Sequence, residues 1–129
     1  MKKKAGSFKE WVTWQLRRLS YRWPARSQAF RNAAATAADF KKHGSGTVAK
    51  RVRNFYWCAL CQGVFTRKQV SADHRVPVVD PKTGFVDWNT FIPRLFCEAS
   101  NFQIICDDCH DKKTAKERNI RKLFRRKSR

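Results

Sequence analysis

The segment NFQIICDDCH, residues 101–110, carries most of the information about the fold. It joins an apolar run of strand character to a C-x-x-C pair, and His110 follows that pair directly. A second C-x-x-C pair, CALC at residues 58–61, lies 44 residues upstream. Two such pairs can supply four thiolates to one tetrahedral Zn²⁺, and binding of the ion is then coupled to folding. The spacing predicts a structural zinc site with four ligands, Cys58, Cys61, Cys106 and Cys109.

The fifth cysteine and the start of the chain bear on the redox environment. Met1-Lys2-Lys3-Lys4 is basic but no apolar run follows it, which predicts no signal peptide and a reducing, cytoplasmic compartment. Cysteines in such a compartment are better metal ligands than disulfide partners. Cys97 is interpreted as a small buried apolar side chain. Buried free cysteines or a redox pair are the alternative for the other four.

Charge is distributed very unevenly along the chain. The 129 residues include 29 Lys and Arg against 10 Asp and Glu, a net charge of +19. Residues 1–57 hold 14 basic and 2 acidic side chains, residues 58–110 hold 5 and 6, and residues 111–129 hold 10 and 2. Residues 58–110 thus form a nearly neutral centre between two cationic arms, the first arm at residues 1–57 and the second at residues 111–129. This distribution is typical of a module held on nucleic acid, most simply double-stranded DNA. No apolar stretch approaches the length that spans a bilayer, so no membrane partner is expected.

The first arm is predicted to be helical. Ser7 and Glu10 form a capping-box pattern ahead of apolar residues at helical spacing, and Trp23-Pro24 ends that pattern. A second, alanine-rich helix is predicted from Pro24 to a stop and hinge at residues 43–46. The aromatic side chains of this arm are expected to pack on one another and on the centre, and base stacking by one exposed Trp is the alternative.

The centre is predicted to mix short strands with turns. Residues 63–70, 72–79 and 102–105 have strand character, and residues 80–84, DPKTG, have turn chemistry. Asp87 is suited to cap a short helix, within which Pro93 is expected to cause a kink or a break. From Cys109 onward a basic helix is predicted. The chain is accordingly divided into a basic helical N-terminal extension (1–46), a central module (47–116) and a basic C-terminal tail (117–129).

Four polar residues of the centre suit phosphodiester hydrolysis, which requires a base to deprotonate water and a divalent cation to neutralise developing negative charge. His74 can act as the base, Asp73 and His110 can hold the cation, and Asn101 can orient its neighbours through hydrogen bonds. His110 follows a predicted zinc ligand, so the zinc site would determine where its imidazole lies.

These residues occur within a longer pattern that resembles the zinc-containing HNH nucleases, and most closely the small ones common in bacteriophage genomes. The resemblance covers about residues 56–116 and extends back toward Trp23-Pro24. Its motifs are CxxC at 58–61, DHRVP at 73–77, Gly84, NFQIICxxCH at 101–110, and Lys113-Thr114.

The resemblance implies an α+β chain containing a ββα-metal (HNH, or His-Me finger) module: a hairpin that ends in Asp-His, a loop that carries the Asn, and a helix that presents the last His. Asp73 and His110 then match the ligands of a catalytic Mg²⁺ or Mn²⁺, and His74 matches the general base. Asn101 matches the residue that positions the hairpin and the base. The reaction implied is DNA strand nicking that leaves a 5′ phosphate and a 3′ hydroxyl, in the cytoplasm of a bacterial host.

One position departs from the family pattern, and one residue is an alternative candidate for a role in it. Thr114 stands where certain relatives carry another His, which leaves more of the coordination to water and phosphate and suits Mg²⁺. Asn89 competes with Asn101 for the role of the middle Asn, but its spacing to the last cysteine pair matches less well. The side chains predicted to contact nucleic acid are Arg75, Arg94, Lys113, Lys116, Arg17 and Arg18.

Two hypotheses of different class follow. The first is a metal-dependent endonuclease, and the second is a non-catalytic, zinc-stabilised nucleic-acid-binding protein within a larger assembly. A second copy of the chain or a phage packaging component remain open as further partners. Membrane attachment by the arms is disfavoured because neither arm pairs its basic face with a wide apolar one.

Overall fold

The computed structural model describes residues 6–127, so the basic start at Met1 to Lys4 and residues 128–129 lie outside the described part. Within it the chain is α+β, with five α-helices and five short strands. The helices are α1 (Phe8–Ser20), α2 (Pro24–Asn32), α3 (Ala37–His43), α4 (Trp88–Leu95) and α5 (Asp107–Lys127). The strands are β1 (Ala34–Ala35), β2 (Phe55–Trp57), β3 (Val64–Thr66), β4 (Val70–His74) and β5 (Phe102–Cys106).

The strands form two antiparallel sheets. One has the order β1-β2-β3, and the other pairs β4 with β5 so that Asp73 lies opposite Gln103 and His74 lies opposite Phe102. Residues 75–101, which include α4, connect β4 to β5, and β5 runs directly into α5. The two strands and the helix that follows them therefore bring residue 73, residue 103 and the first turns of α5 to one place.

The strand predicted over residues 72–79 ends at His74. Pro77 has no N–H to donate to a ladder. The backbone N–H of Arg75 makes one last bond, to the carbonyl of Asn101 at 2.7 Å, before the chain turns away. The segment predicted over 63–70 is also divided, because residues 67–69 form a short 3-10 turn between β3 and β4.

Three groups of buried residues make up the core. The first packs α2 onto the β4-β5 sheet through Ala29, Val70, Phe102 and Ile104. The second surrounds Cys58, Ile105 and Cys106, and the third joins α4 to the loop after β4 through Val78, Phe91 and Leu95. Every residue of β5 is buried, which explains why four of its five side chains are apolar rather than alternating with polar ones; the exception is Gln103.

The prediction of a single alanine-rich helix from Pro24 to His43 is wrong. The helix stops at Asn32, and Ala34 and Ala35 pair instead with Tyr56 and Phe55 of β2. Thr36 then caps α3 through a capping box with Asp39. Helix propensity is worth only a few tenths of a kcal/mol per residue, so sheet pairing and a new cap can override it. The predicted stop after His43 is confirmed, because α3 ends there.

Of the kink or break predicted at Pro93, the break does not occur. Helix α4 runs unbroken through Pro93, and Asp87 caps it by accepting a hydrogen bond from the Thr90 N–H at 2.7 Å. The missing proline N–H would have bonded to the carbonyl of Asn89, an exposed residue that water can reach. The turn predicted at residues 80–84 is confirmed by a backbone hydrogen bond of 2.8 Å from Gly84 to Asp80.

The aromatic residues of the first arm pack less than expected. The capping box of α1 is confirmed, and Leu16 packs against the Val78, Phe91 and Leu95 group. On the other side of the same helix, however, Trp11 and Trp14 are 61% and 56% exposed. The expectation of general packing is wrong for these two residues, because α1 lies at the surface and only one of its faces meets the core.

The two boundaries predicted between the segments of the chain, after residue 46 and after residue 116, fall within continuous structure. The pairing of β1 with β2 joins residues on both sides of position 46, and α5 passes position 116 without a break. The first arm therefore supplies one strand of a central sheet. Among residues 6–127, no helix is both long and apolar enough to span a bilayer.

Candidate functional site

Four cysteines meet at one end of the β4-β5 sheet. Cys58 follows β2, Cys61 lies in the turn before β3, Cys106 ends β5 and Cys109 lies in the first turn of α5. Their Sγ atoms all lie within 4.8 Å of one another, and the Cys61 and Cys106 sulfurs are 3.9 Å apart. A tetrahedral zinc with Zn–S bonds of about 2.3 Å requires sulfur–sulfur distances of about 3.8 Å. The four side chains therefore form a cluster that could hold a metal ion such as zinc, as their spacing predicts.

The backbone around the cluster favours a thiolate at Cys58. Burial acts to raise the pKa of this thiol, but hydrogen bonds from the backbone N–H groups of Cys61 and Cys106 outweigh it and lower the pKa to about 7. At Cys109, burial and the neighbouring sulfurs raise the pKa to about 12. The Cys58 thiol thus ionises readily, whereas burial raises the pKa of the Cys106 and Cys109 thiols, which resist adding further negative charge unless a cation enters.

A second cluster of polar side chains lies at the far end of β4. The Asp73 carboxylate accepts a hydrogen bond from Gln103 Nε2 at 3.2 Å and forms an ion pair with Lys113 of α5 through the same oxygen, Oδ2. The Lys113 ammonium also donates to the backbone carbonyl of His74 at 2.8 Å and lies 3.7 Å from Glu117. Residues from β4, β5 and α5 therefore meet at one carboxylate.

The His74 imidazole is held in a defined orientation. Its Nε2 lies 3.0 Å from the carbonyl oxygen of Leu95. A carbonyl can only accept, so Nε2 carries the proton and Nδ1 of the neutral ring keeps a free lone pair. The ring also packs against Phe102, with centroids 4.7 Å apart. Burial lowers the pKa of His74, and the positive charges of Arg26 and Arg17 lower it further, against the opposing effects of the Leu95 carbonyl and Asp73.

Asn101 holds the chain that follows His74. Its side-chain oxygen accepts a hydrogen bond from the Val76 N–H at 3.3 Å, while its backbone carbonyl accepts one from Arg75. Both bonds link the start of β5 to the end of β4. The competing candidate, Asn89, is exposed near the start of α4.

A cavity of about 200 Å³ opens beside Asp73 and His74. Three cationic side chains from two distant helices reach it, Arg17 from α1 and Lys113 and Arg121 from α5, and Glu117 adds one negative charge. Two carboxylates among three cations and an imidazole suit an anionic ligand with exposed oxygens, such as a phosphate.

His110 stands apart from this cavity. It lies one helical turn before Lys113 on α5 and is half-buried, but it does not line the cavity with Asp73 and His74. Its imidazole has no hydrogen-bond partner among residues 6–127. Of the four residues predicted for catalysis, the structure thus places Asp73 and His74 at one cavity, with Lys113 occupying the Asp73 oxygen.

The residues predicted to contact nucleic acid are spread over several surfaces. Arg17 and Lys113 line the cavity, whereas Arg18 is exposed and lies over the Trp14 ring. Arg75 is exposed and donates to the carbonyl of Ser100, and Arg94 lines a small separate cavity near Phe85. Lys116 lies on another face of α5, beside Leu60 and Cys109.

Three residues of the site were missed by the sequence reasoning. Glu117 and Arg121 lie four and eight residues after Lys113, so helical spacing was a usable signal for both. Gln103 reaches Asp73 only through the register between β4 and β5, which no local pattern reveals.

Comparisons with protein-family models, with curated proteins and with solved structures find no match to this chain. The resemblance to HNH nucleases therefore rests on the sequence motifs quoted above.

Proposed function

We propose that the chain is a metal-dependent endonuclease that nicks double-stranded DNA, with His74 as the general base. The observation that carries the proposal is the His74–Leu95 hydrogen bond. It fixes the tautomer in which Nδ1 can accept a proton, in a ring that lines a cavity with three cationic side chains. A base with a lowered pKa remains neutral, and so competent, at neutral pH.

The residues around His74 have separate tasks in this proposal. Arg17 and Arg121 bind the phosphate oxygens and place the phosphorus beside His74, which removes a proton from the attacking water. Asn101 positions the end of β4, and with it the base. The cysteine cluster holds a structural zinc that fixes the start of α5 relative to both strands.

The proposed reaction uses a catalytic divalent ion. The residues that would hold this ion are Asp73, whose carboxylate oxygen is a ligand that Mg²⁺ and Mn²⁺ prefer, and His110, which lies one helical turn before Lys113 on α5 and outside the cavity. When bound, such an ion supplies positive charge that stabilises the departing 3′ oxygen. The ββα arrangement of β4, β5 and α5 is consistent with the HNH module that the sequence resembles.

A plasmid-nicking assay tests the proposal. The purified protein should convert supercoiled plasmid to the open circle in Mg²⁺ or Mn²⁺ but not in EDTA. His74→Ala should reduce the rate at least about 100-fold, the usual contribution of a general base. His43→Ala is the matched control, because this exposed histidine ends α3 and contacts Trp57 rather than the cavity. Equal nicking by both variants would remove His74 from the role of base.

One observation favours the alternative, a non-catalytic nucleic-acid-binding protein in a larger assembly. The Asp73 oxygen already has a cationic partner in Lys113, and three of the described cavity residues are cations that can bind phosphate without chemistry. This alternative predicts salt-sensitive DNA binding with no metal-dependent nicking by the wild-type protein. A gel-shift titration run beside the nicking assay separates the two functions.

A further inference from the structure

The Lys113 ammonium is surrounded by oxygen atoms from three parts of the chain. It contacts a carboxylate oxygen of Asp73, the backbone carbonyl oxygen of His74 and, more distantly at 3.7 Å, a carboxylate oxygen of Glu117. Carboxylate and carbonyl oxygens are also the ligands of hard divalent cations. The protein has therefore placed its own cation within a set of ligands suited to a metal ion.

The position of Lys113 leaves little room for a second cation. Its side chain is 23% exposed and that of Asp73 is 20% exposed, so the pair is largely shielded from water. Gln103 occupies the same Asp73 oxygen from the other side. An ammonium and a divalent ion at one carboxylate oxygen would repel each other strongly in such surroundings.

We propose that Lys113 competes with the catalytic divalent ion for Asp73, and that the ion binds fully only when the Lys113 side chain moves onto a DNA phosphate in the cavity. This inference rests on the proposed function. Lys113 lines the cavity and has a flexible stem, so its ammonium can exchange the carboxylate for a phosphate without movement of α5. Metal and DNA then bind with positive cooperativity, since the phosphate draws Lys113 away from Asp73, and the ion, by displacing Lys113 from Asp73, releases its ammonium for the phosphate.

The test measures Mn²⁺ binding to the zinc-loaded protein by the electron paramagnetic resonance signal of free Mn²⁺, without DNA. Lys113→Met should bind Mn²⁺ about tenfold more tightly than the wild type, a typical size for coupling between two sites. Lys112→Met removes the same charge from the neighbouring exposed position and should leave the affinity within about twofold of the wild type. Adding Asp73→Asn to Lys113→Met should abolish the tight binding.

A second variant controls for a folding defect in Lys113→Met. Lys113→Gln is neutral but can still donate a hydrogen bond to Asp73, and it should also tighten Mn²⁺ binding. Equal Mn²⁺ affinity of the wild type and both Lys113 variants would overturn the inference, as would tight binding that survives Asp73→Asn. If metal-dependent, His74-dependent nicking were still observed in that case, the proposed function would stand. Tighter Mn²⁺ binding without any nicking would instead support the competition and count against the nuclease.

Discussion

The Nε2 atom of His74 lies 3.0 Å from the carbonyl oxygen of Leu95, the last residue of α4. Leu95 is almost completely buried, so the carbonyl belongs to a well-packed part of the core. The catalytic tautomer proposed for His74 therefore depends on the end of a helix, at a residue 21 positions away in sequence.

The pH dependence of nicking should follow from this environment. Burial lowers the pKa of His74 below the ordinary value of 6.5, so the ring gains its proton only at a more acidic pH than a free histidine. Activity should be constant at neutral pH and fall in acid, as protonation removes the lone pair of Nδ1. We expect the midpoint of kcat/KM against pH to lie below 6.5. A midpoint well above that value would show that another group limits the rate.

Replacement of Asn101 should reduce activity more than it reduces stability. Asn101→Ala removes the acceptor of the Val76 N–H, a partly exposed bond whose loss costs about 1 kcal/mol of unfolding free energy. Looser placement of the end of β4 should lower the nicking rate about tenfold. Asn89→Ala, at an exposed position of α4, should leave both the rate and the thermal unfolding temperature nearly unchanged. Equal effects of the two substitutions would assign the middle-Asn role to neither residue.

Removal of a cysteine ligand should abolish zinc binding and cooperative folding together. Cys58→Ser takes away the thiol that ionises most readily, and with it the bridge from β2 to α5. We expect less than one zinc per chain by metal analysis and a broad thermal transition. Cys97→Ser is the matched control, since Cys97 lies outside the four-cysteine cluster and should leave one zinc bound. Full zinc content in Cys58→Ser would exclude a four-cysteine zinc site.

Adjacent arginines of α1 should differ in their effect on catalysis. Arg17 lines the cavity, whereas Arg18 lies over the exposed Trp14 ring. A hydrogen bond to a charged group contributes about 1.5–3 kcal/mol, so Arg17→Ala should lower kcat/KM for nicking at least about tenfold. Arg18→Ala removes the same charge and should weaken DNA binding only slightly, in a manner that salt suppresses. The ratio of the two kcat/KM values in low salt measures the difference.

Local patterns predicted several elements correctly because each depends on neighbouring residues alone. The capping box at Ser7 and Glu10, the cap at Asp87 and the turn at residues 80–84 are all formed within four positions of the chain. The alanine-rich segment could not be predicted in the same way. Its outcome depended on Phe55 and Tyr56, about 20 residues away, offering a strand to Ala34 and Ala35.

The exposed side of α1 shows a second feature that local sequence does not predict, namely which faces of a helix are covered by the rest of the protein. The spacing of Trp11, Trp14 and Leu16 indicates a helix but not how many of its faces find a partner. Only the position of α1 beside α4 decides that Leu16 is covered while both tryptophans face the solvent.

Sequence alone predicted which four cysteines cluster, because two C-x-x-C pairs can direct four sulfurs to one ion. It also predicted that Asp73, His74 and Asn101 take part in one reaction. Tertiary structure alone decided which atoms contact these side chains. The register between β4 and β5 placed Gln103 at Asp73, and the packing of α4 placed the Leu95 carbonyl at His74. The direction of α5 placed Lys113, rather than His110, at the Asp73 carboxylate. These contacts join residues 21 to 40 positions apart, and their geometry is set by the packing of whole helices and strands, which no short motif encodes.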